Sequence, residues 1–339
     1  MYSDAALAAA ISPDRLELIL LPTEKCNFRC TYCYEDFAVG KMKPPIVAGI
    51  KALIRNRVPH LKWLSISWFG GEPMLAVDLV KSISAFAKDL CQENNVTFGG
   101  GLTTNGYLLE PTVFESLITL NQTRFQITLD GDEEWHDKTR VQANRKPTFQ
   151  KIWSNLVSCA RSASNFQVAL RLHLHEDNVE SVKRLYDLLK RTLLLDKRFS
   201  VNFHKVSALG QELKSGPRLF DRTAYQAALA YVQGDSSGFN SHTRSELELV
   251  DYICYAAKPN SLMIRANGTI GKCTVILDDP RNNLGRIHED GSLDIDNPRL
   301  RQWMLGFLDT SKPTLTCPLG ALPKELSPRA IPTDVSTII

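Results

Sequence analysis

Apolar runs of strand length alternate with stretches of helical periodicity from about residue 16 to residue 206. The strand-like runs are Leu16–Leu21, Leu64–Phe69, Val96–Thr104, Phe125–Leu129, Phe166–Leu174 and Ser200–Val206. Between them, apolar positions recur at helical spacing over Pro45–Asn56, Ala76–Glu93, Pro111–Leu120, Thr148–Ser162 and Val179–Thr192. Such alternation predicts βαβ units around a parallel sheet, an α/β fold. Asp221–Val232 has the pattern of an amphipathic helix, beside a Gly/Ser-rich break at Gly234–Ser241. Ser261–Cys273 reads as a β-hairpin turning at Asn267-Gly268. Pro318, Pro323, Pro328 and Pro332 mark an irregular tail. The expected divisions are an N-terminal segment (1–15), the α/β unit (16–210), a helical bridge (211–250), a small C-terminal unit (251–320) and the tail (321–339).

Composition narrows the class. A chain of 339 residues that is 43% hydrophobic buries a sizeable core, as one large α/β unit with an appendage would. The net charge of +3 gives no electrostatic case for nucleic acid or an anionic surface. No run approaches the roughly 18 apolar residues of a membrane span, and the N-terminus lacks the basic start of a secretory signal. The expectation is a cytoplasmic protein without a membrane partner. Of the 8 cysteines, 6 fall in two metal-type groupings, which favours metal over disulfides.

The first spacing is C-x3-C-x2-C at Cys26, Cys30 and Cys33, just past the first strand. It supplies three thiolates with no fourth ligand in the loop, whereas a structural zinc site wants four. A four-iron cluster held this way keeps one iron open. The second feature is Gly70-Gly71-Glu72-Pro73, at the end of the second strand. Two glycines permit close backbone approach, and Glu72 offers an acceptor to a cationic amine. Thr104 and Asn105 end the third strand, where a hydroxyl and an amide can meet ribose hydroxyls or merely shape an Asn-Gly turn. Arg171 interrupts an apolar strand; a charge there needs a partner, either a ligand or a structural ion pair. His173, His175 and His204 read as satisfied polar residues, and Cys91 and Cys159 as core thiols on helical faces, with a hydrogen-donor role as the sharper alternative.

The cysteine loop and the Gly-Gly-Glu-Pro segment together resemble the radical S-adenosylmethionine (SAM) enzymes. The resemblance implies a partial (β/α)6 barrel of TIM type. It also implies a [4Fe-4S] cluster on Cys26, Cys30 and Cys33, with SAM chelating the open iron and its amino group at Gly70, Gly71 and Glu72. Tyr32, the aromatic residue before the third cysteine, would lie against the adenine. Gln126–Gly131 with His136–Arg140 is similar to a signature of the peptide-modifying branch. Thr128 would then face the SAM carboxylate, and Arg140 would bind a carboxylate or tie its loop to Asp130.

Cys254, the G-x4-C pattern from Gly268 to Cys273, and Cys317 resemble the auxiliary-cluster extension called SPASM or, when shortened, twitch. The set lacks the further cysteines of the full pattern. The resemblance therefore implies one auxiliary [4Fe-4S] cluster at most, the alternative being three buried thiols.

By this resemblance a reduced cluster splits SAM to a 5′-deoxyadenosyl radical that removes hydrogen from a substrate. The favoured substrate is a ribosomally made peptide (RiPP), which would gain a crosslink or an oxidised residue. The early first strand leaves no room for an N-terminal leader-recognition domain, so leader binding would use either a separate leader-binding protein or the barrel itself, by strand addition. A flavodoxin or ferredoxin is the expected electron donor. The alternatives are a small-molecule substrate (amino acid, sugar or nucleoside derivative) and a non-catalytic iron–sulfur electron carrier.

Overall fold

The computed structural model describes residues 2–206, 218–234, 241–243 (backbone only) and 251–323. Much of the expected bridge, most of the Gly/Ser-rich break and nearly all of the tail lie outside the described residues. The strands are β1 Arg15–Leu20, β2 Phe28–Cys30, β3 Trp63–Trp68, β4 Thr97–Thr104, β5 Gln122–Leu129, β6 Arg140–Gln142, β7 Gln167–Leu174, β8 Phe199–Lys205, β9 Ser241–Thr243, β10 Ser261–Ile264, β11 Thr269–Gly271, β12 Gly285–Ile287 and β13 Leu293–Ile295. The main helices are α1 Asp4–Ile11, α2 Pro44–Arg57, α3 Val77–Glu93, α4 Pro111–Ile118, α5 Glu133–Thr139, α6 Phe149–Ala160, α7 Val179–Lys190, α8 Arg222–Gln233 and α9 Asn297–Trp303.

One sheet runs in the order β13-β12-β11-β10-β1-β3-β4-β5-β7-β8-β9. From β10 to β9 the neighbours are parallel. The six strands β1, β3, β4, β5, β7 and β8 are the runs read from the sequence, each within a few residues, with helices between them. This is the α/β, partial (β/α)6 arrangement that was expected. The C-terminal hairpin does not stand apart: β10 pairs in parallel with β1, so the extension continues the barrel's own sheet.

Alternation along the strands explains how the sheet holds a site. On β7, Val168, Leu170, Leu172 and Leu174 are buried, while Ala169, Arg171 and His173 take the other face. Leu64 and Ile66 on β3 and Phe199, Val201 and Phe203 on β8 are also buried. Helix α3 buries the stripe Val80, Ile83, Ala87 and Cys91 against β3 and β4; α7 buries Val182, Leu185, Tyr186 and Leu189 against β7. The opposite face is not filled with side chains. It lines a cavity of about 840 Å³, reached by Glu17, Ser67, Gln126, Arg171, Asn202 and His204.

Local signals set the helix starts. Pro44 and Pro45 open α2. Asp132 and Asp221 cap α5 and α8 by accepting from Trp135 N (3.2 Å) and Ala224 N (2.7 Å). Among the described residues no helix is long and apolar enough to cross a membrane.

Candidate active site

The cysteine loop follows β1. It bends back so that β2 pairs antiparallel with β6, placing Cys30 opposite Arg140. Cys33 N–H donates to the Cys30 carbonyl (3.2 Å), closing a turn that gathers the last two thiols. Phe28 N–H points at Cys26 Sγ (3.3 Å), and Asn105 Nδ2 lies 4.0 Å from the same sulfur. Burial pushes the Cys26 thiol up to about 12 and Cys33 up to about 11; Cys30 is raised for the same reason, against the pull of Arg140. Ligation by these thiols must therefore expel protons. Among the described residues no three His, Cys, Asp or Glu side chains converge on a single-ion position. The donor set suits a multi-iron cluster, in which each thiolate binds its own iron. Buried Arg140 offsets thiolate charge, and its Nε has no protein partner.

The Gly-Gly-Glu segment is built against this loop. Gly70 has φ +112°, and a Cβ there would meet the Thr23 carbonyl at 2.3 Å; one on Gly71 would meet Lys25 and Glu24 carbonyls at 2.6 and 2.7 Å. The immediate need for glycine is thus close approach to the Thr23–Lys25 backbone. Glu72 N–H then donates to Lys25 O (3.0 Å). The Glu72 carboxylate is fully buried. Oε1 accepts from Met74 N (2.9 Å) and Thr104 Oγ1 (2.7 Å), and Oε2 from Asn105 N (2.7 Å). Burial raises this carboxyl, and the backbone hydrogen bonds from Asn105 and Met74 oppose that. Three of its roughly four lone-pair positions are taken by these donors. Thr104 is spent on Glu72, and the Asn105 side chain donates to Asn27 Oδ1 (2.8 Å). Both residues sit beside the site expected for SAM, with their polar groups engaged in holding it.

A second buried network was not foreseen in this form. The Tyr32 hydroxyl donates to Asp130, 2.8 and 2.7 Å from its two oxygens, and accepts from Arg140 Nη1 (2.7 Å). His173 Nδ1 lies 3.0 Å from the same hydroxyl and 3.3 Å from Asp130 Oδ1. Thr139 Oγ1 donates to Asp130 Oδ2 (2.9 Å). Burial would raise Asp130, but the His173 hydrogen bond and the Arg140 charge overcome it and hold the carboxyl well below its usual range. Of the two readings for Arg140, the tie to Asp130 is present, relayed by Tyr32. The Tyr32 ring stands edge-on to His173, with centroids 5.1 Å apart. Thr128 is buried on β5, opposite Arg171 of β7. Arg171 belongs to the cavity wall.

Cys254, Cys273 and Cys317 line the far side of the same cavity, with Tyr252, Tyr255 and Thr274. Asn282, missed in the sequence, clamps this end. Its Oδ1 accepts from Lys272 N and Cys273 N (both 2.9 Å), and its Nδ2 donates to the Cys273 carbonyl (2.7 Å). Burial raises the Cys254 and Cys273 thiols. Cys91 and Cys159 lie in the core, as expected, and line no part of the cavity.

The parallel βα sheet with a three-thiol loop at the end of its first strand, against a Gly-Gly-Glu turn at the end of the next, defines a partial barrel of the iron–sulfur, SAM-binding class. The chain belongs to the radical SAM superfamily, whose sequence model matches residues 20–189. That family works with a [4Fe-4S] cluster and SAM. Among curated relatives, the GTP 3′,8-cyclase of Microcystis aeruginosa is 28% identical over 209 residues, covering 58% of this chain and 57% of that protein. The cysteine-type anaerobic sulfatase-maturating enzyme of Clostridium novyi is 25% identical over 186 residues, covering 52% and 48%. The chain thus spans about half the length of the curated relatives it matches. Among solved structures, anSMEcpe with bound AdoMet superposes with TM-score 0.65 at 18% identity, covering 84% of this chain and 77% of that one. SuiB of Streptococcus suis bound to S-adenosylmethionine superposes with TM-score 0.58 at 17% identity, covering 90% and 70%.

Proposed function

We propose that this chain is a peptide-modifying radical SAM enzyme. Cys26, Cys30 and Cys33 hold the SAM-binding cluster, and Cys254, Cys273 and Cys317 hold one auxiliary [4Fe-4S] cluster. When bound, cluster and SAM supply a 5′-deoxyadenosyl radical able to remove hydrogen from an unactivated carbon. The chain's own residues do the rest. Gly70 and Gly71 seat the cysteine loop, and Glu72 takes the ammonium of SAM in its remaining lone-pair direction. Thr104 and Asn105 fix Glu72, and Thr128 faces the SAM carboxylate. Tyr32 is held by Asp130, Arg140 and His173, so its ring is a fixed wall for the adenine. The cavity shields the reacting carbon from water and competing donors.

The observation that carries this reading is one cavity of about 840 Å³ shared by the inner faces of the barrel strands and the three C-terminal cysteines. A substrate there lies against the C-terminal cysteines and the inner faces of the barrel strands. Peptide is favoured because relatives include the Clostridium novyi maturase and the PqqA peptide cyclase of Gluconobacter oxydans, and because SuiB has been solved bound to precursor peptide SuiA. Free thiols grouped in this way fit a reducing, cytoplasmic setting, with a flavodoxin or ferredoxin as electron source. A small-molecule substrate is the second reading, favoured by the GTP 3′,8-cyclase relatives.

The test is anaerobic co-expression with short peptides encoded beside this chain, read by mass spectrometry. A peptide whose mass falls by H2, dependent on Cys30, supports the proposal. Unmodified peptides together with turnover of GTP would replace it by the second reading.

A further inference from the structure

The C-terminal hairpin reaches the first cysteine loop directly. β10 lies parallel to β1, and Leu21 N–H donates to the Ile264 carbonyl (3.0 Å). The chain therefore leaves both strands side by side at the same end of the sheet. From β1 it runs to Cys26; from β10 it runs through the hairpin to Cys273.

Two contacts span the space between these exits. Arg265, the residue after β10, grips Glu24 with two hydrogen bonds, Nε to Oε1 at 3.1 Å and Nη2 to Oε2 at 2.6 Å. The pair is buried, with side chains 10% and 3% exposed. Nη1 of Arg265 turns back to the Leu277 carbonyl (2.8 Å) and Asp278 Oδ1 (3.0 Å), fixing the guanidinium from the C-terminal side. Tyr34, next to Cys33, donates its hydroxyl to the carbonyl of Thr274, next to Cys273 (3.1 Å). Tyr255 secures Thr274 in turn, accepting from its N–H (3.0 Å) and lying 2.8 Å from its Oγ1.

Breaking a buried pair by removing one partner leaves an uncompensated charge. Here that charge is Glu24, two residues before Cys26. The neighbouring Lys25 carbonyl receives Glu72 N–H, and Gly70 and Gly71 are packed on the same three residues. A displacement of Arg265 is therefore carried through Thr23–Lys25 to the Gly-Gly-Glu turn.

We infer that Arg265 and Tyr34 are positioning residues that couple the two cysteine sites, so that loading of Cys254, Cys273 and Cys317 tightens SAM binding at the other end. This rests on the reading of those cysteines as a metal site. The coupling is reciprocal, and values of this kind correspond to roughly 5–150-fold in affinity.

The experiment is a double-mutant cycle on the full-length, anaerobically reconstituted protein. Iron content, the spectroscopic change of the SAM-binding cluster on adding SAM, and the SAM dissociation constant are measured for wild type, Cys273→Ala, Arg265→Gln and the double variant. Cys273→Ala weakens SAM binding about tenfold in the wild-type background, and the same change has little further effect once Arg265 is Gln. Should Arg265→Gln fail to fold by circular dichroism, Tyr34→Phe, which removes one hydroxyl, takes its place in the cycle. About eight irons per wild-type chain, with equal SAM affinity in wild type and Cys273→Ala, overturns the coupling alone. About four irons per wild-type chain removes the C-terminal site itself, and the coupling with it.

Discussion

Replacing Glu72 by Gln keeps the side chain's shape and removes one of its acceptors. Oε1 serves Met74 N–H and Thr104 O–H, and Oε2 serves Asn105 N–H. The Gln carbonyl can face the first two donors. Its amide then points at the Asn105 N–H, leaving one buried donor unsatisfied, at a cost of about 1–3 kcal/mol. At roughly 2–4 °C per kcal/mol, the apo protein melts about 2–12 °C lower. Glu72→Ala orphans all three donors, roughly 3–9 kcal/mol before relaxation, against a total stability of about 5–15 kcal/mol. Gln is therefore the informative change. SAM binding suffers separately. A hydrogen bond to a charged group is worth about 1.5–3 kcal/mol, so affinity falls roughly ten- to hundredfold. Thermal melts of the apo chain and equilibrium dialysis with SAM on the reconstituted chain read the two effects apart. A wild-type melting temperature would refute the role of Glu72 in holding the ends of β3 and β4. A wild-type SAM affinity would refute its role toward the amine.

Other consequences follow from the same geometry. His136 is fully buried and neutral, with burial depressing it to about 4 from 6.5, so the unfolded chain takes the proton first. Stability is therefore present above pH 6.5 and is lost as the pH falls toward 4, by roughly 3 kcal/mol. Melts between pH 7 and pH 4.5 show a steeper decline for wild type than for His136→Gln; parallel declines contradict the assignment. Gly71→Ala drives a methyl into the Lys25 and Glu24 carbonyls, so it lowers both melting temperature and iron loading at the first site. Normal loading would separate the glycine from the cysteine loop. Cys273→Ala drops iron from about eight to about four per chain while deoxyadenosine formation persists and peptide product is lost; an unchanged iron content contradicts the auxiliary site.

The barrel strands were legible because each is a run of apolar residues bounded by turn chemistry, and the helices between them because their buried stripes keep helical spacing. Cys26, Cys30, Cys33 and Glu72 stand out as candidates in the sequence because motif spacing is local. Strands β2 and β6 were not, since three residues carry no periodicity and their pairing joins segments far apart in sequence. The Arg265–Glu24 pair spans 241 positions, and nothing local in either residue announces the other. The same holds for Asn282 and for the meeting of Tyr32, Asp130, Arg140 and His173, which depends on how β5, β6 and β7 converge. Thr104 reads as a candidate for ribose from its place at a strand end; only the fold reveals that its hydroxyl is committed to Glu72. The glycines at 70 and 71 read as room for a ligand; the close neighbour they admit in the fold is the chain's own backbone.

The most direct measurement is product analysis after the anaerobically loaded chain is reduced in the presence of SAM. The wild-type chain yields methionine and 5′-deoxyadenosine, and Cys30→Ala yields neither. Zinc in place of iron at the first cysteine site, or an iron-loaded chain that leaves SAM intact on reduction, would contradict the account.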